Sequence, residues 1–161
     1  MRAQISIEVA LMTGIAILVI VSMVNLHFER FYVARELGEA GEAKMVGTLI
    51  ASAIDNAYAN GAGFQIYLSP EKVNFTRLGE VEKMYGLGVD LPIVINTTAR
   101  EIVISKNTSK TGGDIWRVEV PIVPEEVYRR DPTAQYPELT VLNNGTGVVI
   151  YADAAHIRVV S

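Results

Sequence analysis

Hydrophobic and polar positions divide the chain into two regimes. From Val9 to Leu26 eighteen residues carry no charge, and Ile5 and Ile7 extend the apolar character backwards, close to the roughly 20 residues needed to cross a bilayer. The run is rich in Ile and Val, but a lone strand in lipid would leave its backbone polar groups unpaired, so a helix is predicted. Asn25, His27, Glu29 and Arg30 mark its outer end. No proline occurs before Pro70, and 29–44 is rich in Glu, Arg, Ala, Leu and Lys. The helix is therefore expected to continue from about residue 5 to about residue 59.

Its three parts differ in pattern. The first, about 5–27, is apolar all round. Ala34 to Lys44 is mostly charged and carries Gly38 and Gly41, which mark a bend, or a place of close helix packing, or are simply tolerated there. In the third part Met45, Val46, Leu49, Ile50, Ala53, Ile54, Ala57 and Tyr58 fall at one-and-four spacing, predicting a single stripe that covers a sheet. Asn60-Gly61-Ala62-Gly63 supplies the positive backbone angles that helix ends favour.

Beyond residue 63 the period changes to two. Val, Ile, Thr and Tyr alternate in short runs broken by Gly, Pro and Asn, predicting strands at 64–68, 73–78, 92–96, 101–105, 115–122, 138–142, 148–152 and 157–160. Asn107 to Gly113 and Asn143 to Gly147 read as hairpin loops. The expected fold class is α+β: a long N-terminal transmembrane or filament-core helix followed by a C-terminal antiparallel all-β head, a sandwich or a rolled sheet on the amphipathic helix. The expected organisation is 1–3 as leader, 4–60 as helix (apolar to about 27, amphipathic from about 28) and 61–161 as head.

The start of the chain refines this picture. Arg2 and the initial amine precede the apolar run, which the positive-inside tendency holds in the cytoplasm, leaving 28–161 outside. A secretory signal peptide has its small-residue cleavage site after the apolar segment, whereas here the plausible site, Ala3 before Gln4, lies in front of it. Cutting there keeps the apolar helix on the mature protein. Glu8 is costly at the edge of that helix unless it finds a partner. It either pairs with the Gln4 ammonium of a neighbouring subunit in a low-dielectric bundle, or sits at headgroup level facing the positive end of the helix dipole.

Gln4-x-Ser6-x-Glu8 followed by an apolar helix resembles the class III signal motif of archaeal type IV pilin-like proteins over about the first twenty-five residues. The resemblance implies that a prepilin peptidase cuts the Ala3–Gln4 bond, that Glu8 aids assembly, and that an assembly ATPase and a membrane platform protein take part. It implies a single-pass protein of the cytoplasmic membrane that becomes part of an extracellular filament at the cell surface.

Four sequons strengthen the export reading: Asn74-Phe75-Thr76, Asn96-Thr97-Thr98, Asn107-Thr108-Ser109 and Asn144-Gly145-Thr146. Eight asparagines and 17 Ser/Thr residues in 161 give about one such match by chance. N-linked glycans are expected on at least one, with Asn107 and Asn144 favoured by their loops; the alternative is that Asn and Thr are common in β-hairpins.

Catalytic chemistry is thin, and no enzyme activity, metal or cofactor is expected. The only histidines are His27 and His156, and Asp153 with His156 lacks a third partner for a metal site or a triad. Glu125, Glu126 and Asp131 could offer oxygen ligands to calcium or form a solvated loop, the simpler reading. Gly86-x-Gly88 and Gly112-Gly113 lack the helix and lysine of a phosphate loop. Trp116 sits in an alternating run and reads as core rather than as a carbohydrate platform. With a net charge of −4, and with Arg129-Arg130 as an isolated basic pair, no nucleic-acid partner is expected. There is no cysteine, so disulfides contribute nothing.

The expected function is a glycosylated structural subunit of an archaeal type IV pilus-like filament, serving cell adhesion and having its own copies as main partners. The alternatives are a singly anchored extracellular binding module and a minor pilin. A permanent anchor needs neither a free Gln4 amine nor Glu8.

Overall fold

The computed structural model describes residues 2–68, 93–107, 114–136, 139–152 and 157–161; the side chains of 2–6, 107 and 114 lie outside that description. The expected strand at 73–78, the turns at Gly86-x-Gly88 and Gly112-Gly113, and the Asp153/His156 pair fall outside it too. The fold is α+β. One helix, α1 (Arg2–Asn60), is followed by β1 (Gln65–Tyr67), β2 (Ile93–Asn96), β3 (Glu101–Asn107), β4 (Asp114–Pro121), β5 (Val127–Arg130), β6 (Thr140–Asn143), β7 (Val148–Tyr151) and β8 (Ile157–Val160). The chain divides into two compact units, Met1–Gly38 and Glu39–Ser161.

The first unit is helix alone. In the second, the strands form two four-stranded sheets, ordered β1-β6-β7-β5 and β4-β3-β2-β8. Hairpin neighbours β2–β3, β3–β4 and β6–β7 pair antiparallel, as does β1–β6. Two pairings are parallel, β2–β8 and β5–β7, so the head is antiparallel-dominated rather than purely antiparallel. The cause is connectivity: β8 returns to the second sheet from β7 of the first, and β5 reaches its neighbour β7 only through β6, which lies on the far side of β7, so two reversals restore the direction. A strand arriving by a crossover is free of the direction reversal a hairpin imposes.

Both sheets and the helix share one core. Ile93, Ile95, Ile102, Ile104, Val118, Val120 and Ile157 point inward from the second sheet with period two, and meet Val141, Val148 and Ile150 of the first and Ile50 and Ile54 of α1. Full burial of an aliphatic side chain of this size stabilises the fold by about 1.5–3 kcal/mol.

The buried helix face keeps the predicted stripe at Ile50, Ala53, Ile54 and Ala57, with Val46 partly buried against the core, and departs from it at three positions. Met45, Leu49 and Tyr58 are 74%, 38% and 48% exposed, while Ala43, Ile50, Ala51, Ala53, Ile54 and Ala57 are buried. Small residues face the sheet because the backbones approach closely. A Cβ on Gly47 would lie 3.0 Å from Val120 Cγ2 and 3.6 Å from Ile104 Cδ1. Met45, Leu49 and Tyr58 lie to the flanks, whereas Ile50 and Ile54 fill the space facing the sheets.

Strand β5 was not predicted, because Pro124, the Glu125-Glu126 pair and Arg129-Arg130 give its surroundings a loop-like polarity. It forms as the edge partner of β7, which is buried throughout. Trp116 is partly buried against the core. Gly61 (φ 82°) and Gly63 (φ 86°) turn the chain out of the helix.

Candidate functional site

The apolar N-terminal unit is the principal candidate. None of its most apolar eighteen-residue window is buried, and this is a helix long and apolar enough to cross a membrane, compatible with an anchor or a signal segment. Side chains all round it are exposed, including Val9, Leu11, Met12, Ile15, Leu18, Val19 and Met23. Three of its polar side chains are turned back onto the helix. Thr13 Oγ1 donates to the Val9 carbonyl and Ser22 Oγ to the Leu18 carbonyl, each at 2.8 Å. His27 Nδ1 lies 2.9 Å from the Met23 carbonyl oxygen, a hydrogen bond that requires the proton on Nδ1. Self-satisfaction of this kind leaves a surface that lipid or another apolar helix can cover without stranding a donor. The stretch of Ile20, Met23, Val24, His27, Phe28 and Phe31 is part of this one helical surface, not an enclosed site.

Glu8 is exposed on this surface and, among the described residues, takes part in no hydrogen bond or ion pair. Ala3 and Gln4 lie within α1, with side chains outside the description.

The sequons separate by position. Asn74 lies outside the described residues, and Asn107 ends β3 with its side chain outside the description. Asn96 ends β2 and is half-buried; Asn144 is exposed in the loop between β6 and β7.

In the head the charged groups are internally engaged. Arg100 pairs with Glu125, and Arg129 Nη2 lies 3.0 Å from Asp131 Oδ1. Tyr128 donates to Glu126 Oε2 at 3.0 Å; that hydrogen bond, then the Glu126 charge, then slight desolvation, raise the phenol above its ordinary pKa. Glu125, Glu126, Tyr128 and Arg129 line a groove of about 470 Å³ beside β5 and β8. Strand β5 separates Glu125 and Glu126 from Asp131, and among the described residues no group of three metal-ligating side chains comes together.

Three polar contacts with α1 escaped the sequence reading. Lys106 Nζ meets Glu39 Oε2 at 2.6 Å with side chains only 7% and 13% exposed. The alternation Ile102, Ile104, Lys106 already placed the lysine on the inward face, a legible signal; its partner was not legible. Asp55 Oδ1 accepts from the Val123 amide at 2.8 Å, tethering the β4–β5 crossover to the helix. Asn143 Nδ2 reaches the carbonyls of Ala57 and Tyr58.

No family model, curated protein or solved structure matches the chain.

Proposed function

We propose that the chain is a structural subunit of an archaeal type IV pilus-like surface filament, with surface attachment as its role. The observation that carries the reading is the fully exposed apolar helix at 7–26, on a chain whose second unit buries a core of its own. Such a helix needs a cover. Lipid supplies one before assembly, and other copies of the same helix supply it afterwards.

Apolar burial gives little drive for moving from lipid to a helical bundle, so association there depends on close packing and on polar pairing. Glu8 provides the pairing. Cleavage of the Ala3–Gln4 bond by a prepilin peptidase would free an ammonium one turn before it, and a Gln4 amine from one subunit against Glu8 of the next fixes their stagger. The assembly ATPase and platform protein implied by the signal motif would drive extraction. The head then forms the filament exterior, with N-glycans on it.

Mass spectrometry of the N-terminal peptide from protein sheared off producing cells, with negative-stain images of the same fraction, tests this. A chain beginning at Gln4 in a filamentous fraction is expected. A chain retaining Met1 to Ala3 and recovered only in membranes would overturn the filament reading in favour of an anchored binding module.

A further inference from the structure

The two fully described sequons are held in opposite ways. In the first, Asn96 closes β2, a strand flanked on both sides. It pairs with Glu101 of β3 and Val160 of β8, and its Oδ1 is taken by the Ala99 amide at 3.0 Å. The middle residue, Thr97, is bound twice to the Val160 carbonyl, by its amide at 2.9 Å and its hydroxyl at 3.2 Å. A transferase that must wrap the tripeptide in its own site can reach it only by stripping the end of β2 from β8.

In the second, Asn144, Gly145 and Thr146 are all exposed. They occupy the four-residue loop joining β6 to β7, closed by an Asn144 amide to Gly147 carbonyl bond of 3.1 Å. Gly145 has φ +91°, a backbone angle glycine adopts at little steric cost. The Asn144 carboxamide is oriented by three donors on one oxygen: Thr146 N at 3.0 Å, Gly147 N at 2.9 Å and Thr146 Oγ1 at 2.9 Å. With Oδ1 held inward, Nδ2 is left without a hydrogen bond among the described residues. Three hydrogen bonds to the carbonyl oxygen also polarise the amide and make the Nδ2 proton easier to remove. The hydroxyl that the N-x-S/T rule requires is one of those donors.

We infer that, of the two sequons fully described, Asn144 is an N-glycan acceptor of the folded head and Asn96 is closed to modification once β2 and β8 have paired. This rests on reading the chain as an exported surface protein. The co-substrate is a polyprenyl phosphate- or pyrophosphate-linked oligosaccharide. Nδ2 forms a bond to the sugar C1 as the C1–O bond to phosphate breaks, the lipid phosphate leaves with the electron pair, and the Nδ2 proton passes to a base of the transferase. The neighbouring Asn143 is excluded by its burial and by Gly145 at the third position.

Tandem mass spectrometry of proteolytic peptides from the wild-type protein, recovered from its natural producer, decides the matter without a variant that might misfold. The expected result is a glycan increment on the Asn144 peptide and an unmodified mass for the Asn96 peptide. In the variants, Thr146→Ser is expected to keep the increment and Thr146→Val to lose it. An unmodified Asn144 peptide, or equal occupancy at Asn96, overturns the inference. Negative-stain images of the same preparation keep the two readings apart: filaments with unmodified Asn144 sink this inference alone, whereas modified Asn144 without filaments sinks the filament reading alone.

Discussion

Asn143 Nδ2 donates to the main-chain oxygen of Ala57 at 3.1 Å and to that of Tyr58 at 3.3 Å, so a strand residue caps the C-terminal end of the helix. The last carbonyls of a helix have no intrahelical partner, and here the sheet provides one. The same residue pairs by backbone with Phe64 and Gly63 and accepts Gly145 N on its Oδ1. Asn143→Ala is expected to cost about 1–3 kcal/mol, since it strands buried carbonyls. Asn143→Asp is expected to cost more, because a carboxylate replaces the donor facing two carbonyl oxygens. Urea unfolding of the full chain in detergent, followed by the fluorescence of its single tryptophan, measures both. Wild-type stability in the Asp variant would refute the capping role.

The Glu39–Lys106 pair is expected to behave as a coupled unit. Truncating one partner leaves a buried charge, so Glu39→Gln or Lys106→Met alone should destabilise by about 3–5 kcal/mol. The double variant should lose much less than the sum of the two. A double-mutant cycle by urea unfolding checks this, and strict additivity would show that the ions act independently.

Glycines at four positions should respond in opposite directions to alanine. At Gly147 a Cβ would lie 2.8 Å from the Glu126 carbonyl oxygen, a backbone clash expected to cost about 1–3 kcal/mol. At Gly38 and Gly41 an added Cβ meets nothing within 4 Å, so alanine should strengthen the helix by about 1 kcal/mol each. Gly47→Ala falls between, because the nearest atom at 3.0 Å is a side-chain methyl. Comparing denaturation midpoints for the four variants tests that order.

Glu8→Ala or Glu8→Leu is expected to leave N-terminal processing intact and to reduce filament yield severalfold. Processed mass and sheared filament yield are read from the same cells. Normal yield from the Leu variant would remove the pairing role.

The Tyr128 phenol should titrate above the usual tyrosine value near about 10, because its neutral form donates to the Glu126 carboxylate. A raised folded-state value means the contact contributes fully below the unfolded value and is lost as pH rises through the folded one. Ultraviolet absorbance titration, as a difference against Tyr128→Phe, should move back toward the ordinary value in Glu126→Gln. No movement would show that Glu126 is not the cause.

Patterns that repeat within a few residues were legible in the chain alone. Eighteen uncharged residues from Val9 to Leu26, the absence of proline before Pro70 and the Asn-Gly punctuation at 60–63 mark a long helix, since helix formation depends on neighbours a turn away. The alternations at 102–105 and 115–122 likewise mark strands by their local period. Contacts between residues far apart in the chain followed no such rule. The periodicity placed Ile50, Ala53, Ile54 and Ala57 on the buried face of α1, but the exposure of Met45, Leu49 and Tyr58 followed from how the sheets sit against the helix, where Gly47 comes close to Val120. Strand β5 exists because β7 offers it an edge, despite its polar surroundings. Parallel β2–β8 pairing came from the return of β8 to the second sheet, and parallel β5–β7 pairing from the path through β6 on the far side of β7, a matter of path rather than propensity. The two adjacent asparagines make the same division: the sequon marks Asn144 from three consecutive residues, whereas the burial of Asn143 under the helix end depends on Ala57 and Tyr58, more than eighty residues away.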